Sequence, residues 1–440
     1  MTAALPASDL ARRLQRRAHE LIPGGAHTYA KGDDQFPANA PPFIVRGQGC
    51  HAWDIDGREY IEYGMGLRAV TLGHAFAPVV EAVTRQLQHG VNFTRPAPIE
   101  QECAQTLLSI VPGADMVKFC KDGSHAVDGA VRLARAATGR DGVAICADHP
   151  FFSTGDWFIG TSEMNAGIPA ATRRLVHAFP YNDRAALQAL FADHPGQIAC
   201  VVMEAARIDE PDSGYLQWVK DTVRAHGALL VFDEMITGFR WHLGGAQAEY
   251  GVTADLTTYG KALANGFAVS ALAGRRELMR LGGLDHDRER VFLLSTTHGA
   301  QTHELAAAIA TMRFYRENPV IETLQARGQR LREGVTQASA ALGLGRQVGV
   351  VSRDCNLLFY TRDAQGQPSQ PLRTLFMQEL VRHGILAPSF VVSWSHSEAD
   401  IDRTIDAVAQ ALQVYRQALD AGVDRFLQGP AVQPVFRRYA

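Results

Sequence analysis

The pattern of apolar and polar positions alternates short apolar runs with helical stretches through the middle of the chain. MVKFC (116–120), GVAICAD (142–148), IACVVME (198–204) and ALLVFD (228–233) are nearly continuous apolar runs bounded by charge and glycine. Runs of that length and composition predict strands buried on both faces, as in a parallel sheet. Helical periodicity lies between them. Val127, Ala130, Val131 and Ala134 share one helical face, and residues 215–225 form a helical stretch that Gly227 stops. Strand–helix–strand repetition between 116 and 275 predicts right-handed parallel crossovers and a doubly wound α/β sheet. VSALAG (269–274) reads as a returning strand, residues 75–110 as helical, and ADIDRTIDAVAQALQVYRQAL near the end as an amphipathic helix.

The N-terminal stretch has no apolar signal core and predicts an amphipathic helix ended by Pro-Gly-Gly. Residues 42–63 predict a short antiparallel meander with turns at Arg46-Gly47 and Asp56-Gly57. From Pro319 onward helical and strand-like stretches alternate. The expected organisation is an N-terminal helix and meander over 1–75, a large domain over 76–315 and a C-terminal small domain over 316–440.

Composition narrows the function by exclusion. A net charge of -3 carries no nucleic-acid or membrane footprint, and no apolar run approaches the length of a membrane span. The six cysteines are scattered without a CxxC pair, which predicts free thiols in a reducing cytoplasm. No GxGxxG follows a strand, and no HExxH, Walker loop or GxSxG elbow occurs.

The candidate chemistry lies between 228 and 261. Asp233 falls at the carboxyl end of its strand, where open α/β sheets place ligands. Lysine is rare: Lys31, Lys118, Lys121, Lys220 and Lys261 are all of it. Lys261 follows a glycine and precedes a small apolar segment. A lone lysine in that apolar, glycine-flanked setting is not a solvating choice. The strand–KDGSH–helix stretch is the arrangement that places backbone N–H groups at an anion.

DExxTGFR (233–240), followed by a short strand ending in Gly260-Lys261, resembles the class III, fold-type I pyridoxal-phosphate aminotransferases. The chain is most like the glutamate-1-semialdehyde aminomutases among them, and the likeness runs from Ile22 to the last helix. Trp53, Asp54, Asp56, Gly57 and Tyr60 match the family's WDxDGxxY segment. The resemblance implies a large domain with a mostly parallel doubly wound sheet plus a small α+β domain. It implies pyridoxal 5'-phosphate as cofactor, held by Lys261 as the Schiff-base lysine and by Asp233 at the pyridine nitrogen. Gly123 and Ser124 match the phosphate loop. Asp122 there departs from the family, and Ser124 also reads as a plain helix N-cap. Phe151 or Phe152 matches the ring-stacking aromatic, with core filling as the other reading. Met235 would pack beneath the ring or simply fill core. Glu204 matches an orienting glutamate, with Ala205 in place of proline, and Glu234 has no catalytic role. Thr297 matches the threonine that reaches the neighbouring subunit's cofactor, so a cytoplasmic homodimer is implied.

The implied activity is amino transfer between a donor such as glutamate and a carbonyl acceptor. In the aminomutase an arginine after IPGG holds the substrate carboxylate; Lys31 stands at that position, beside Asp33 and Asp34. Lysine offers a point charge where arginine offers a planar fork. Arg68 and Arg95 match segments at the family's active-site mouth. These departures point to a different acceptor, a sugar or another specialised metabolite. The alternatives are the aminomutase itself and, in another class, a cofactor-binding protein without turnover.

Overall fold

The computed structural model describes residues 8–439. The chain forms two compact units, one running through Phe76 and resuming at Glu322–Arg437, the other Ala77–Ile321 with the residues from Arg438.

In the first unit the helix Asp9–Leu21 starts at Ser8, whose side chain accepts from the Ala11 N–H. An antiparallel meander follows: β1 (Ile44–Gln48), β2 (His51–Asp54) and β3 (Glu59–Glu62). The expected turn at Arg46-Gly47 is not there. Both residues lie inside β1, Gly47 opposite Ala52. The reversal is made at Gly49, whose φ of 58° suits glycine. Gly47 is small for another reason: an added Cβ would meet the His74 ring at 2.7 Å. The Asp56-Gly57 turn forms as expected, with Asp54 Oδ1 accepting from the N–H groups of Asp56 and Arg58.

The second unit is built on seven strands: β4 (Met116–Cys120), β5 (Gly142–Cys146), β6 (Val176–Phe179), β7 (Ile198–Met203), β8 (Leu229–Asp233), β9 (Leu256–Tyr259) and β10 (Ser270–Gly274). Their order is β4-β10-β9-β8-β7-β5-β6. β10 runs antiparallel to both neighbours and the rest are parallel. This is the fold-type I α/β architecture. Every residue of β5 and β7 is buried, which explains their unbroken apolar sequence. Helix Gly123–Thr138 buries the predicted face of Val127, Ala130, Val131 and Ala134. The helical stretch expected over 75–110 is two helices, Ala77–Leu87 and Pro98–Leu108. Pro98 sits in the first turn of the second, where its missing N–H costs nothing, and the Glu100 side chain accepts from the Ala97 N–H.

The first unit resumes with the hairpin β11 (Val348–Val351) and β12 (Leu358–Thr361), then β13 (Ile385–Leu386), which pairs parallel with β3. The amphipathic helix predicted near the end runs Glu398–Ala421 behind a Ser397/Asp400 capping box. All six cysteines are buried, and none forms a disulfide. Among the described residues no helix is long and apolar enough to cross a membrane.

Candidate active site

The carboxyl ends of β8 and β9 bring the two strongest sequence candidates together. Asp233 closes β8 and is buried. Its Oδ1 accepts from the Met235 N–H at 2.9 Å and from Thr258 Oγ1, on β9, at 3.2 Å. Burial raises its pKa; the nearby Lys261 ammonium and these two donors pull it back down. Thr258 is a partner the sequence did not single out, since one threonine in a strand carries no signal by itself.

Lys261 follows β9 directly and opens a short 3-10 turn, Lys261–Ala264. Its φ is 46°, a left-handed backbone that costs a non-glycine residue about 1–2 kcal/mol. Gly260 before it has no room for a side chain: a Cβ would lie 2.5 Å from Ser270 Oγ and 2.6 Å from Met235 Sδ. A Cβ on Gly123 would likewise meet Met235 Sδ at 3.0 Å. The Met235 thioether therefore packs between the lysine turn and the β4–helix turn, and two glycines admit it.

At that second turn the N-cap is Asp122, not Ser124. The Asp122 side chain accepts from the His125 N–H at 3.0 Å, and Gly123 is already helical. Aspartate caps as well as serine does, so the helix starts earlier than expected. The carboxylate also lies 3.1 Å from the His125 ring. The cap engages the N–H of His125 rather than those of Gly123 and Ser124, and Asp122's charge is turned toward His125. Ser124 Oγ accepts from the Thr154 N–H at 3.1 Å, which leaves its own proton to donate elsewhere.

Ser124 thereby holds the aromatic loop. One helical turn on, Asp128 Oδ1 accepts from Ser153 Oγ at 2.5 Å and from Trp157 Nε1 at 2.6 Å. Within this clasp the two phenylalanines separate: Phe152 is fully buried in the core, whereas Phe151 is 44% exposed and meets Phe158 edge-on. His149 is buried and its Nδ1 accepts from the Glu204 N–H at 3.0 Å. Burial drives its pKa down to about 3, so the ring is neutral. Glu204 is buried at the end of β7, with Arg207 Nε 3.9 Å from its Oε1. Lys121 pairs with Glu304 and donates to Gln301 Oε1 at 2.6 Å, fixing the β4 turn to the start of helix Thr302–Glu317.

Glu234 points to the other side of the strand end. It accepts from the N–H groups of Ala246 and Gln247, each at 2.8 Å, and from Thr237. Burial pushes its pKa up to about 7 against those donors.

The remaining candidates lie elsewhere in their own units. Thr297 is exposed, and its carbonyl accepts from Asn92 Nδ2 at 3.0 Å. Arg95 is exposed in the second unit, and Lys31 is exposed in a short 3-10 turn of the first. The acidic neighbours of Lys31 are engaged: Asp33 with His19 at 2.9 Å, Asp34 with Arg437 at 2.8 Å. Arg68 ends a left-handed turn in which Met65, Gly66, Leu67 and Arg68 have φ of 42°, 59°, 56° and 70°. Three of these four are not glycine, so the turn is strained. Met65 N–H donates to both oxygens of Glu62, at 2.8 and 2.9 Å, and Arg68 Nε donates to Asn356 Oδ1 at 3.0 Å.

Comparison with known proteins agrees with this geometry. The family described as Aminotransferase class-III matches residues 29–412. A glutamate-1-semialdehyde 2,1-aminomutase from Roseiflexus castenholzii is 34% identical, covering 92% of this chain and 97% of its own. Among solved structures, the FumI protein of Sphingopyxis sp. MTA144, in its PLP internal aldimine form, is similar with a TM-score of 0.84 and 27% identity, covering 93% of this chain and 97% of that one. An omega-transaminase from Sphaerobacter thermophilus is similar with a TM-score of 0.82 and 27% identity, over 93% and 98% of the two chains.

Proposed function

Because this chain belongs to the class-III aminotransferases, which depend on pyridoxal 5'-phosphate, we propose that it moves an amino group between an amino donor such as glutamate and a carbonyl acceptor other than glutamate 1-semialdehyde. The observation that carries the amino-transfer reading is the buried Asp233 beside Lys261, whose backbone is left-handed, at the ends of two adjacent parallel strands. The residues fit the cofactor: a buried carboxylate suits a protonated ring nitrogen, the amine suits an aldehyde, and the start of helix Gly123–Thr138 suits a phosphate. When bound, pyridoxal phosphate supplies an aldehyde that takes up amines and a ring that withdraws electrons.

The chain's own residues do the rest. Asp233 holds the proton on the ring nitrogen. Lys261 would carry the covalent link to the cofactor aldehyde and, when free, serve as general base and acid toward the substrate. Gly123 and Ser124 would hold the phosphate, and Met235 and Phe151 would pack against the ring. Glu204 orients the site. Lys31, Arg68 and Arg95 take the anionic groups of substrate, and a sugar or another specialised metabolite is the acceptor class. The active species is a homodimer in which Thr297 reaches the neighbouring subunit's phosphate; a fully active monomer would overturn that.

A second reading is the aminomutase, favoured by 34% identity to the Roseiflexus enzyme over nearly the whole chain. One experiment separates the readings. The pyridoxamine form is given glutamate 1-semialdehyde and assayed for 5-aminolevulinate, beside a panel of donors and acceptors followed by the cofactor spectrum. Amino transfer to the panel with negligible 5-aminolevulinate is expected. Turnover to 5-aminolevulinate at roughly 1 per second or faster establishes the aminomutase. No spectral change with any donor leaves a cofactor-binding protein without turnover.

A further inference from the structure

The first unit contains a cluster that the proposed amino-transfer chemistry does not use. Cys50, His51 and Asp400 each offer one donor atom, and the three atoms lie within 4.8 Å of one another. Consecutive strand residues normally face opposite ways. Cys50, however, occupies the turn between β1 and β2, so its thiol and the His51 ring converge on one place. Cys50 Sγ is 3.5 Å from Asp400 Oδ2, and His51 Nε2 is 3.2 Å from Asp400 Oδ1.

We infer that Cys50, His51 and Asp400 form a binding site for one zinc-class divalent cation, with water as the fourth ligand. Three observations carry this. The first is spacing. Zinc–sulfur bonds of about 2.3 Å and zinc–nitrogen or zinc–oxygen bonds of about 2.0–2.1 Å put tetrahedral ligand atoms about 3.4–3.6 Å apart. The two measured separations, 3.5 Å to Asp400 Oδ2 and 3.2 Å to Asp400 Oδ1, lie within about 0.2 Å of that range.

The second is what stands behind the histidine. His51 Nδ1 lies 2.7 Å from Glu59 Oε1. That contact is close but not aligned as a hydrogen bond; a carboxylate beside one ring nitrogen favours the proton there and leaves the lone pair of the other free to ligate, as in metal-bound histidines. Here that other nitrogen is Nε2, and it faces a second carboxylate. A cation bound there would sit between that nitrogen and Asp400 Oδ1.

The third is access. Cys50 is buried, while the side chains of His51 and Asp400 are 28% and 15% exposed, so the cluster opens to solvent on one side. A thiolate with an imidazole and a carboxylate selects zinc or cobalt over magnesium and calcium. Binding forms one bond to each ligand, releases the Cys50 proton to water and changes no oxidation state. Arg327, whose charge acts on both Cys50 and Asp400, offsets part of the negative charge. Asp400 can ligate through Oδ1 while Oδ2 goes on accepting from the Ser397 N–H and hydroxyl. The ion would thus clip the β1–β2 turn to the start of helix Glu398–Ala421.

The test uses the full chain loaded with cofactor, stripped with a chelator and titrated with cobalt(II), then zinc. One cobalt per chain is expected, with a thiolate-to-cobalt absorption band in the near ultraviolet that zinc displaces. Zinc should also raise the Tm by mass action. Cys50→Ser should lose the band, His51→Ala should lose the zinc-dependent Tm gain, and Glu59→Gln should weaken binding about 10-fold or more. Absence of the band in the unmodified protein overturns the site. So does a band or Tm gain that survives in both Cys50→Ser and His51→Ala. Cys50→Ser and Glu59→Gln leave the helix cap intact, so a folding defect in one variant does not decide the result.

Discussion

Asp233 and Glu234 are adjacent, both buried, and both have pKa values raised by burial. Their surroundings nevertheless assign them opposite tasks. Asp233 looks toward Lys261, whose ammonium lowers its pKa. Glu234 looks toward the backbone N–H groups that start the short helix Ala246–Tyr250, and its neighbour Asp233 adds repulsion instead. A buried carboxylate with a cation beside it is available as a charge. One surrounded only by neutral donors is kept close to protonation and serves as a brace. The strand's two-residue period alone separates the two roles.

The comparison breaks most completely at Lys261. Lys261→Ala should remove the covalent label that borohydride otherwise fixes between cofactor and chain, and should lower turnover by at least about 10²–10⁴-fold, the range general acid–base catalysis supplies. Mass spectrometry of the reduced protein checks it. A variant still labelled on another lysine would show that the wrong amine has been assigned.

Asp233→Asn comes next. The amide keeps the size and can still accept from the Met235 N–H, but it cannot hold a proton on a ring nitrogen. Cofactor should still bind, with turnover reduced on the order of 100-fold or more. Near-normal turnover would dissolve the distinction drawn between the two faces.

Much of this was legible in the sequence, and the boundary is physical. Asp233 and Lys261 could be picked out as candidates, and do lie at neighbouring strand ends, because strand ends in parallel sheets are few and a glycine-flanked lysine is conspicuous in an arginine-rich chain. The strand runs were legible because burial on both faces leaves only apolar residues. The Thr258 bond to Asp233, the Asp128 clasp on Ser153 and Trp157 and the neutral His149 depend on contacts between distant segments. Single polar residues do not announce such contacts. The Arg46-Gly47 turn failed because glycine has two uses: at Gly49 it supplies a positive φ, and at Gly47 it makes room for His74. The left-handed turn at Met65–Arg68 was invisible because only one of its residues is glycine.

The brace face predicts a smaller effect, on stability. The folded pKa of Glu234, about 7, lies above its ordinary value of 4.5. Its contribution is therefore fully present below about pH 4.5 and is lost as pH rises toward 7. Glu234→Gln removes that titration together with one acceptor. The variant should melt below wild type at pH 4.5, with the gap narrowing steadily toward pH 7, while turnover by the folded enzyme stays close to normal. A gap independent of pH between those limits would mean that Glu234 is ionised throughout and that burial does not separate it from Asp233.

The smallest effect is expected at Lys31, where the question is substrate rather than chemistry. Lys31 is exposed, and its acidic neighbours Asp33 and Asp34 are paired with His19 and Arg437, so its ammonium is not spent on either of them in a salt bridge. Lys31→Arg replaces a compact charge with a fork that can hold a carboxylate by two parallel hydrogen bonds. Such a gain is worth at most about one tenfold step in kcat/KM for an acceptor bearing a carboxylate. The Tm should not move, because an exposed side chain is exchanged for another of the same charge. Measuring kcat and KM separately, with a carboxylate acceptor and with a neutral carbonyl compound, gives the decisive pattern. A fall in KM confined to the carboxylate acceptor places Lys31 at the anion. Equal changes for both acceptors, or none for either, would remove Lys31 from the substrate site and leave Arg68 and Arg95 as the residues to test.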